Sequence, residues 1–155
     1  MNEKFMREAI RLSLQAIRRG QGGPFGAVVV RNGKVVGRGC NQVTSANDPT
    51  AHAEIVAIRA ACRRLRTFQL KGCDLYTSCE PCPMCLAALY WSRCDAIFYG
   101  NSAADATAAG FDDSFLYQEV GLPIDQRKIP MKRLLAGKAI DSFNKWRALP
   151  DKIEY

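Results

Sequence analysis

The stretch Thr77-Ser-Cys-Glu-Pro-Cys-Pro-Met-Cys85, taken together with His52-Ala-Glu54 upstream, decides the fold and the chemistry of this chain. Cys82 and Cys85 are three positions apart, a spacing that places two thiolates on one helical turn around a shared metal ion. His52 is the only histidine in the chain, and a neutral imidazole is a natural third ligand. Three protein ligands leave the fourth corner of a tetrahedral zinc site to water, which is typical of catalytic zinc.

An acidic residue and a proline precede each half of this motif, as Asp48-Pro49 and Glu80-Pro81. Proline is tolerated at the first position of a helix, because its missing N–H would have no partner there. A carboxylate just before that position interacts with the free N–H groups of the first turn. We therefore expect a helix to begin at each proline, with both N-termini directed at the metal, where they favour thiolates.

Glu54 and Cys79 decide which kind of metal site this is. Glu54 lies two positions after the histidine, and in an open first turn its carboxylate lies beside the metal without ligating it, as a general base and then a general acid. Cys79 as a fourth ligand would instead close the site and make it structural, in a non-catalytic zinc-stabilised module. Pro81 disfavours helical backbone at Glu80, so we expect Cys79 at the end of a strand, apart from the two ligating thiolates.

The remaining pattern predicts an α/β fold built around a sheet. Residues 3–19 have a helical period with one apolar face, and Asn32-Gly33 between apolar runs predicts an antiparallel hairpin of strands 27–31 and 34–39. Further helices are expected at 49–65, 82–93, 112–120 and 138–147, and further strands at 74–77 and 96–99. The small, polar residues 102–109 give no clear signal. We expect helix 82–93 to be buried on most sides, under a sheet or a partner subunit, and helix 49–65 to face inward through Ile55, Ile58, Cys62 and Leu65.

This order of elements implies a three-layer α/β/α fold, in which a central mixed sheet has an N-terminal antiparallel hairpin and later parallel strands. At 155 residues, 48% of them hydrophobic, we expect a single domain over 1–155. The chain has no apolar run of membrane-spanning length and no signal-peptide core, so we expect a cytoplasmic protein with no membrane partner. Seven cysteines, an odd number, fit reduced thiols and metal ligation.

The net charge of +7 makes nucleic acid a candidate partner. The basic residues are scattered and form no long run, which is typical of an ordinary solvated surface. Both interpretations stay open at this stage.

His52-Ala-Glu54 followed by Pro81-Cys-Pro-Met-Cys85 resembles the signature of the zinc-dependent cytidine-deaminase superfamily. Within it the chain is similar to small bacterial guanine deaminases, through motifs that span nearly its whole length. The zinc motif defines only the superfamily, whereas the later motifs narrow the resemblance. Besides Tyr76–Cys85, the matching stretches are Gly22–Val30, Asn47–Glu54, Gly110-Phe-Asp-Asp-Ser-Phe115 and the terminal Glu154-Tyr155.

The resemblance implies hydrolysis of the free base guanine to xanthine and ammonia, with one zinc ion per subunit held by His52, Cys82 and Cys85 and with Glu54 as proton carrier. It also implies a homodimer that exchanges residues from about 130 to 155, so that this segment completes the neighbouring site. The implied substrate contacts are Asn41 on the base edge, Phe25 stacking on the base, Asp113 (or Asp112) at the departing amine, Tyr155 closing the pocket and Trp91 lining it from the neighbouring subunit. The Asn41 amide offers both a donor and an acceptor, which suits a lactam.

Each contact has a structural alternative. Asn41 could be a turn residue, Phe25 and Trp91 could simply pack, Asp112 and Asp113 could cap a helix, and Tyr155 could be a frayed end. For the whole chain, the alternatives are a tRNA adenosine deaminase, which makes inosine and would use a basic surface, or a deaminase of another amino-heterocycle.

Overall fold

The computed structural model describes residues 2–155, which divide into two compact units, the first ending at Asp113 and the second running from Ser114 to Tyr155. The elements of the first unit, in chain order, are α1 (Glu3–Arg18), β1 (Gly26–Arg31), β2 (Lys34–Cys40), α2 (Val43–Ala46), α3 (Ala53–Leu65), β3 (Cys73–Cys79), α4 (Pro83–Trp91), β4 (Ala96–Asn101) and α5 (Ala103–Ala108). The second unit contains α6 (Ser114–Gly121), a 3₁₀ turn (Ile124–Gln126) and α7 (Ala136–Ala148).

The four strands form one mixed sheet in the order β2-β1-β3-β4. β1 is antiparallel to both β2 and β3, whereas β3 and β4 are parallel. Asn32 and Gly33 join β1 to β2 with φ angles of 50° and 71°, the left-handed values that a two-residue type I′ turn requires. The predicted hairpin and the later parallel pair are both confirmed.

Helices cover both faces of this sheet, because alternate residues of a strand point to opposite sides. Val28 and Val30 of β1 pack with Phe5 and Leu12 of α1 in one core cluster. Ala27 and Val29, one residue out of phase, pack on the other face with the alanines of α3 and with Leu89 of α4. The predicted three-layer arrangement is therefore confirmed.

The buried face of α3 differs from the predicted one. Its fully buried apolar residues are alanines, whereas the expected Ile55, Ile58, Cys62 and Leu65 are only half-buried. Gly37 and Gly39 of β2 explain the difference, since a Cβ at either position would overlap a backbone carbonyl of α3. The helix lies so close to the strand that only small side chains fit between them.

Both metal-site helices begin later than predicted. α3 starts at Ala53 and α4 at Pro83, so neither Pro49 nor Pro81 is the first helical residue. Asp48 closes a local turn instead, because its Oδ1 accepts hydrogen bonds from Thr50 N at 2.8 Å and from Thr50 Oγ1 at 2.7 Å.

Glu80 continues the strand pairing rather than capping α4. Its backbone N–H donates to Asn101 O at 2.8 Å, and its carboxylate accepts from Ala103 N at 3.1 Å, at the start of α5. α5, in the stretch where the sequence predicts no clear element, begins with a capping box between Ser102 and Asp105.

The chain's own sheet does not bury α4 on most sides, and burial of this helix under a partner subunit stays a prediction. Only Cys85 and Leu89 of this helix are buried, while Tyr90 and Trp91 are 73% and 61% exposed. α6 and α7 in the second unit contain no buried residue at all. Within residues 2–155, no helix has the length and apolarity that crossing a membrane demands.

Candidate active site

The three predicted metal ligands lie together at the N-termini of α3 and α4. His52 Nδ1 is 3.6 Å from Cys82 Sγ and 3.5 Å from Cys85 Sγ. A tetrahedral zinc ion with bonds of about 2.1 Å to nitrogen and 2.3 Å to sulfur separates such ligand atoms by about 3.6 Å. The spacing of these atoms therefore fits the ion, and no fourth His, Cys, Asp or Glu of residues 2–155 joins the cluster.

The backbone of the site favours negative charge on the sulfurs. His52 and Cys82 are the N-cap residues of α3 and α4, so the positive ends of two helix dipoles meet here. A hydrogen bond from Cys85 lowers the pKa of Cys82 to about 4, and the same interaction raises the pKa of Cys85. Cys82 thus ionises first, and metal binding has to release the remaining proton from Cys85.

Cys79 is not part of the ligand set. It ends β3, as expected, and its Sγ donates to Ser102 O at 3.6 Å. Burial raises the pKa of this thiol to about 11, which keeps it protonated at neutral pH. The closed four-ligand interpretation therefore has no support in the described geometry.

Glu54 lies beside the ligands, in the first turn of α3, and is almost fully buried. Its Oε1 accepts a hydrogen bond from Thr77 Oγ1 at 3.1 Å, and its Oε2 is 3.5 Å from Cys85 Sγ. Burial raises the pKa of this carboxyl, and the Thr77 hydroxyl lowers it in part. The arrangement places a carboxylate next to the metal position without making it a ligand. Thr77 is a site residue that the sequence pattern does not mark, except through its buried position on β3.

Asn41 follows β2 and lies beside the metal-binding segment. Its backbone N–H donates to Phe25 O at 3.0 Å, and the next residue, Gln42, donates to Ala51 O at 2.9 Å. Its side chain is buried, and Oδ1 accepts from Gly23 N and from Val43 N, each at 3.2 Å. The structure therefore brings the predicted base-edge residue to the site, although its acceptor atom is already engaged.

Phe25 and Asp113 also belong to this region. The Phe25 ring contacts Phe111 edge to face, with 4.9 Å between ring centroids and an interplanar angle of 84°. Asp113 is half-buried, and the pKa of its carboxyl is raised by burial first and by the charge of Cys82 second. Asp113 also acts electrostatically on His52, which favours it over the more exposed Asp112 as the site carboxylate. The sequence marks Phe111 only as part of the Gly110–Phe115 motif, and its contact with Phe25 comes from the fold.

The structure does not bring Trp91 to the site of its own chain. It ends α4, nine residues beyond Cys82, which corresponds to about 13 Å along a helix. Tyr155 is 71% exposed and belongs to the second unit. The roles predicted for these two residues stay predictions.

Residues 1–101 match the family described as the cytidine and deoxycytidylate deaminase zinc-binding region. The chain belongs to this family of zinc-dependent deaminases, whose metal ion the His52, Cys82 and Cys85 cluster could hold.

Among its relatives, guanine deaminase of Bacillus subtilis is 49% identical over 154 residues, covering 99% of each chain. The solved structure of that enzyme matches with a TM-score of 0.96 over 100% of this chain and 99% of the other. A solved guanine deaminase of Nitrosomonas europaea is 33% identical, with a TM-score of 0.69 over 73% of this chain and 65% of that one. A tRNA-specific adenosine deaminase of Aquifex aeolicus is 43% identical, over 70% of each chain.

Proposed function

We propose that this protein is an aminohydrolase of purine metabolism that converts the free base guanine and water to xanthine and ammonia. The observation that carries the proposal is a three-ligand metal site with a buried, non-ligating carboxylate beside it, in a chain similar over 99% of its length to a guanine deaminase. The similarity to the tRNA deaminase covers 70% of the chain. We therefore take the substrate from the guanine deaminase, because its similarity to this chain extends over the C-terminal motifs.

When bound, zinc supplies a Lewis acid that lowers the pKa of water to about 7. Glu54 accepts the proton of the attacking water and delivers it to a ring nitrogen, because its Oε2 faces the ligand cluster while Oε1 is held by Thr77. The hydroxyl that the water oxygen has formed on the ring carbon then loses its proton and becomes the carbonyl of xanthine, while the exocyclic amine gains a proton, its bond to that carbon breaks, and ammonia leaves. Asp113, whose pKa is raised, is the proposed donor to the departing amine.

Phe25 and Asn41 hold the base in this scheme. The Phe25 ring stacks on the heterocycle, and its edge contact with Phe111 fixes the ring plane. Asn41 hydrogen-bonds the edge of the base from a buried position, where exclusion of water strengthens each polar contact.

The test is an ammonia-release assay on the zinc-loaded protein over guanine, adenine, cytosine, cytidine and other amino-heterocycles. We expect release from guanine, and its loss in Glu54→Gln with the zinc content unchanged. Turnover that survives Glu54→Gln would exclude the assigned proton carrier, and release from a different heterocycle alone would exclude guanine as the substrate.

We also propose that two copies assemble, with the segment from about residue 130 to Tyr155 completing the neighbouring site. The support is the exposed apolar surface of this part of the chain. α6 and α7 have no buried residue, and large apolar side chains such as Phe143 and Trp146 are exposed. Such surfaces are usually covered by another chain.

Subunit complementation tests this assembly. Glu54→Gln and a variant lacking Tyr155 are each expected to be inactive. When equal amounts of the two variants are unfolded, mixed and refolded together, half of the random dimers are hybrids. Each hybrid has one complete site of two, so the mixture should regain about a quarter of wild-type activity. If mass spectrometry shows that hybrid dimers have formed and activity still does not recover, Tyr155 serves the site of its own subunit or no site. A protein that is a monomer in solution would exclude the assembly.

A tRNA adenosine deaminase is the second candidate, on the 43% identity to the Aquifex relative. Against it, the basic residues Arg63 and Arg64 lie near the far end of α3, about 17 Å along the helix from its metal-binding N-terminus. Inosine formation in tRNA, with binding that weakens steeply as salt is added, would favour this candidate.

A non-catalytic zinc module predicts no ammonia release from any base. The cytoplasmic location stays a prediction.

A further inference from the structure

The orientation of the Asn41 side-chain amide is fixed by the backbone around it. Gly23 N and Val43 N both donate to Oδ1 at 3.2 Å. Only the oxygen of an amide can accept two N–H groups, so Oδ1 has to occupy this position and Nδ2 the opposite one. A carbonyl oxygen has two lone pairs, and both have a donor here.

The other half of the amide has no partner within the described chain. No hydrogen bond from Nδ2 is formed to any of residues 2–155. Yet none of the described side-chain N or O atoms is both fully buried and without a hydrogen-bond partner. Nδ2 therefore keeps some access to the space beside it, where it presents N–H groups and no acceptor.

Gly22 provides the room that this arrangement needs. A Cβ at position 22 would overlap Asn41 Oδ1, and it would lie 2.9 Å from Asn41 O and 3.1 Å from the carbonyl carbon. The backbone of Gly22 does not have the positive φ that strains other residues. The requirement for glycine is thus steric, and it acts on Asn41 alone among its nearest contacts.

We propose that Gly22 is a positioning residue that leaves room for the Asn41 amide, so that Asn41 meets the substrate only as a hydrogen-bond donor through Nδ2. The site then selects amino-heterocycles that present an unprotonated acceptor to Nδ2, either a lactam oxygen or a ring nitrogen. This inference rests on the proposed function in so far as Asn41 contacts the base. It replaces the sequence-based expectation that the amide serves the substrate as donor and acceptor together.

A double-mutant cycle on the zinc-loaded protein tests the steric step. Gly22→Ala and Asn41→Ala should each raise KM for guanine by about tenfold or more, with a smaller effect on kcat. In the Asn41→Ala background, Gly22→Ala should raise KM much less than it does in the wild type, because the side-chain amide is gone and only the close contact with the backbone carbonyl of residue 41 remains. Gly121→Ala is the matched control, since a Cβ at Gly121 meets nothing within 4 Å. If the fold-change in KM of the double variant equals the product of the fold-changes of Gly22→Ala and Asn41→Ala, the two residues act independently and the proposal is overturned.

Asn41→Asp tests the donor-only step without a steric change. The carboxylate keeps both accepted hydrogen bonds and the side-chain volume but has no N–H to donate. We expect a rise in KM at least as large as in Asn41→Ala, with zinc content and thermal stability retained. Wild-type KM in Asn41→Asp would overturn the assignment. If the wild type deaminates another base and not guanine, the proposed function fails, whereas the same variants measured on that base still decide this inference.

Discussion

Replacement of Thr77 by valine tests whether the hydrogen bond to Glu54 serves catalysis. Thr77 is fully buried, and its hydroxyl donates to Oε1 at 3.1 Å, where water cannot replace it. Valine has nearly the same shape but no donor. A hydrogen bond to a charged group is worth about 1.5–3 kcal/mol, so its loss should lower the fraction of ionised Glu54, and kcat measured on the acid side of the pH profile should fall by about 10- to 150-fold. KM should change little, because Thr77 is not a proposed substrate contact.

The pH dependence gives a second measurement on the same variant. The Thr77 hydrogen bond lowers the pKa of Glu54 against the larger, raising effect of burial. Its removal therefore raises this pKa further, and the acid limb of the kcat/KM profile should move to higher pH. Thr77→Ser, which keeps a hydroxyl, should restore both the rate and the profile. An unchanged kcat in Thr77→Val with full zinc content would refute the reasoning, as would a serine variant as slow as the valine variant.

Four further outcomes are expected. Removal of zinc with a chelator should abolish ammonia release and lower the melting temperature, with both restored by added Zn²⁺, because a ligand of the native state stabilises it; full activity without metal would contradict this. Gly39→Ala should cost about 1–3 kcal/mol in chemical unfolding, since its Cβ would overlap Ala53 O, and equal stability would disprove the close approach of α3. Phe111→Ala should raise KM for guanine about 2- to 10-fold at constant zinc content, because the edge contact that orients Phe25 is worth about 0.5–1.5 kcal/mol; an unchanged KM would separate the two rings functionally. Burial raises the pKa of Cys94 from 9.0 to about 11, so the stability gained from its protonated thiol should be lost as pH rises from about 9 to 11, and Cys94→Ala should flatten this decline.

The ligand set and the sheet could be predicted from the sequence because their signals are local. Cys82 and Cys85 are one helical turn apart, and Asn32-Gly33 defines a hairpin without help from distant residues. Glu54 could be placed beside the metal because it lies in the first turn of the helix that His52 caps.

The helix starts and the buried face of α3 could not be predicted, because contacts between elements decide them. Glu80 pairs with Asn101 of β4, which extends the strand past the point where proline suggested a helix. The alanines of α3 face inward because Gly37 and Gly39 admit the helix backbone, a match that periodicity within one helix does not contain. The partners of Glu54 and Phe25, on β3 and beside α5, likewise come from folding and not from spacing.

One consequence of the ligand set is practical. Because His52 is the only imidazole of the chain, an untagged sample gives a single pair of ring-proton resonances, and these come from the reaction centre itself. Occupancy, exchange and chemical modification of that centre can therefore be followed by magnetic resonance at one residue, with no overlapping signals to assign and no engineered label.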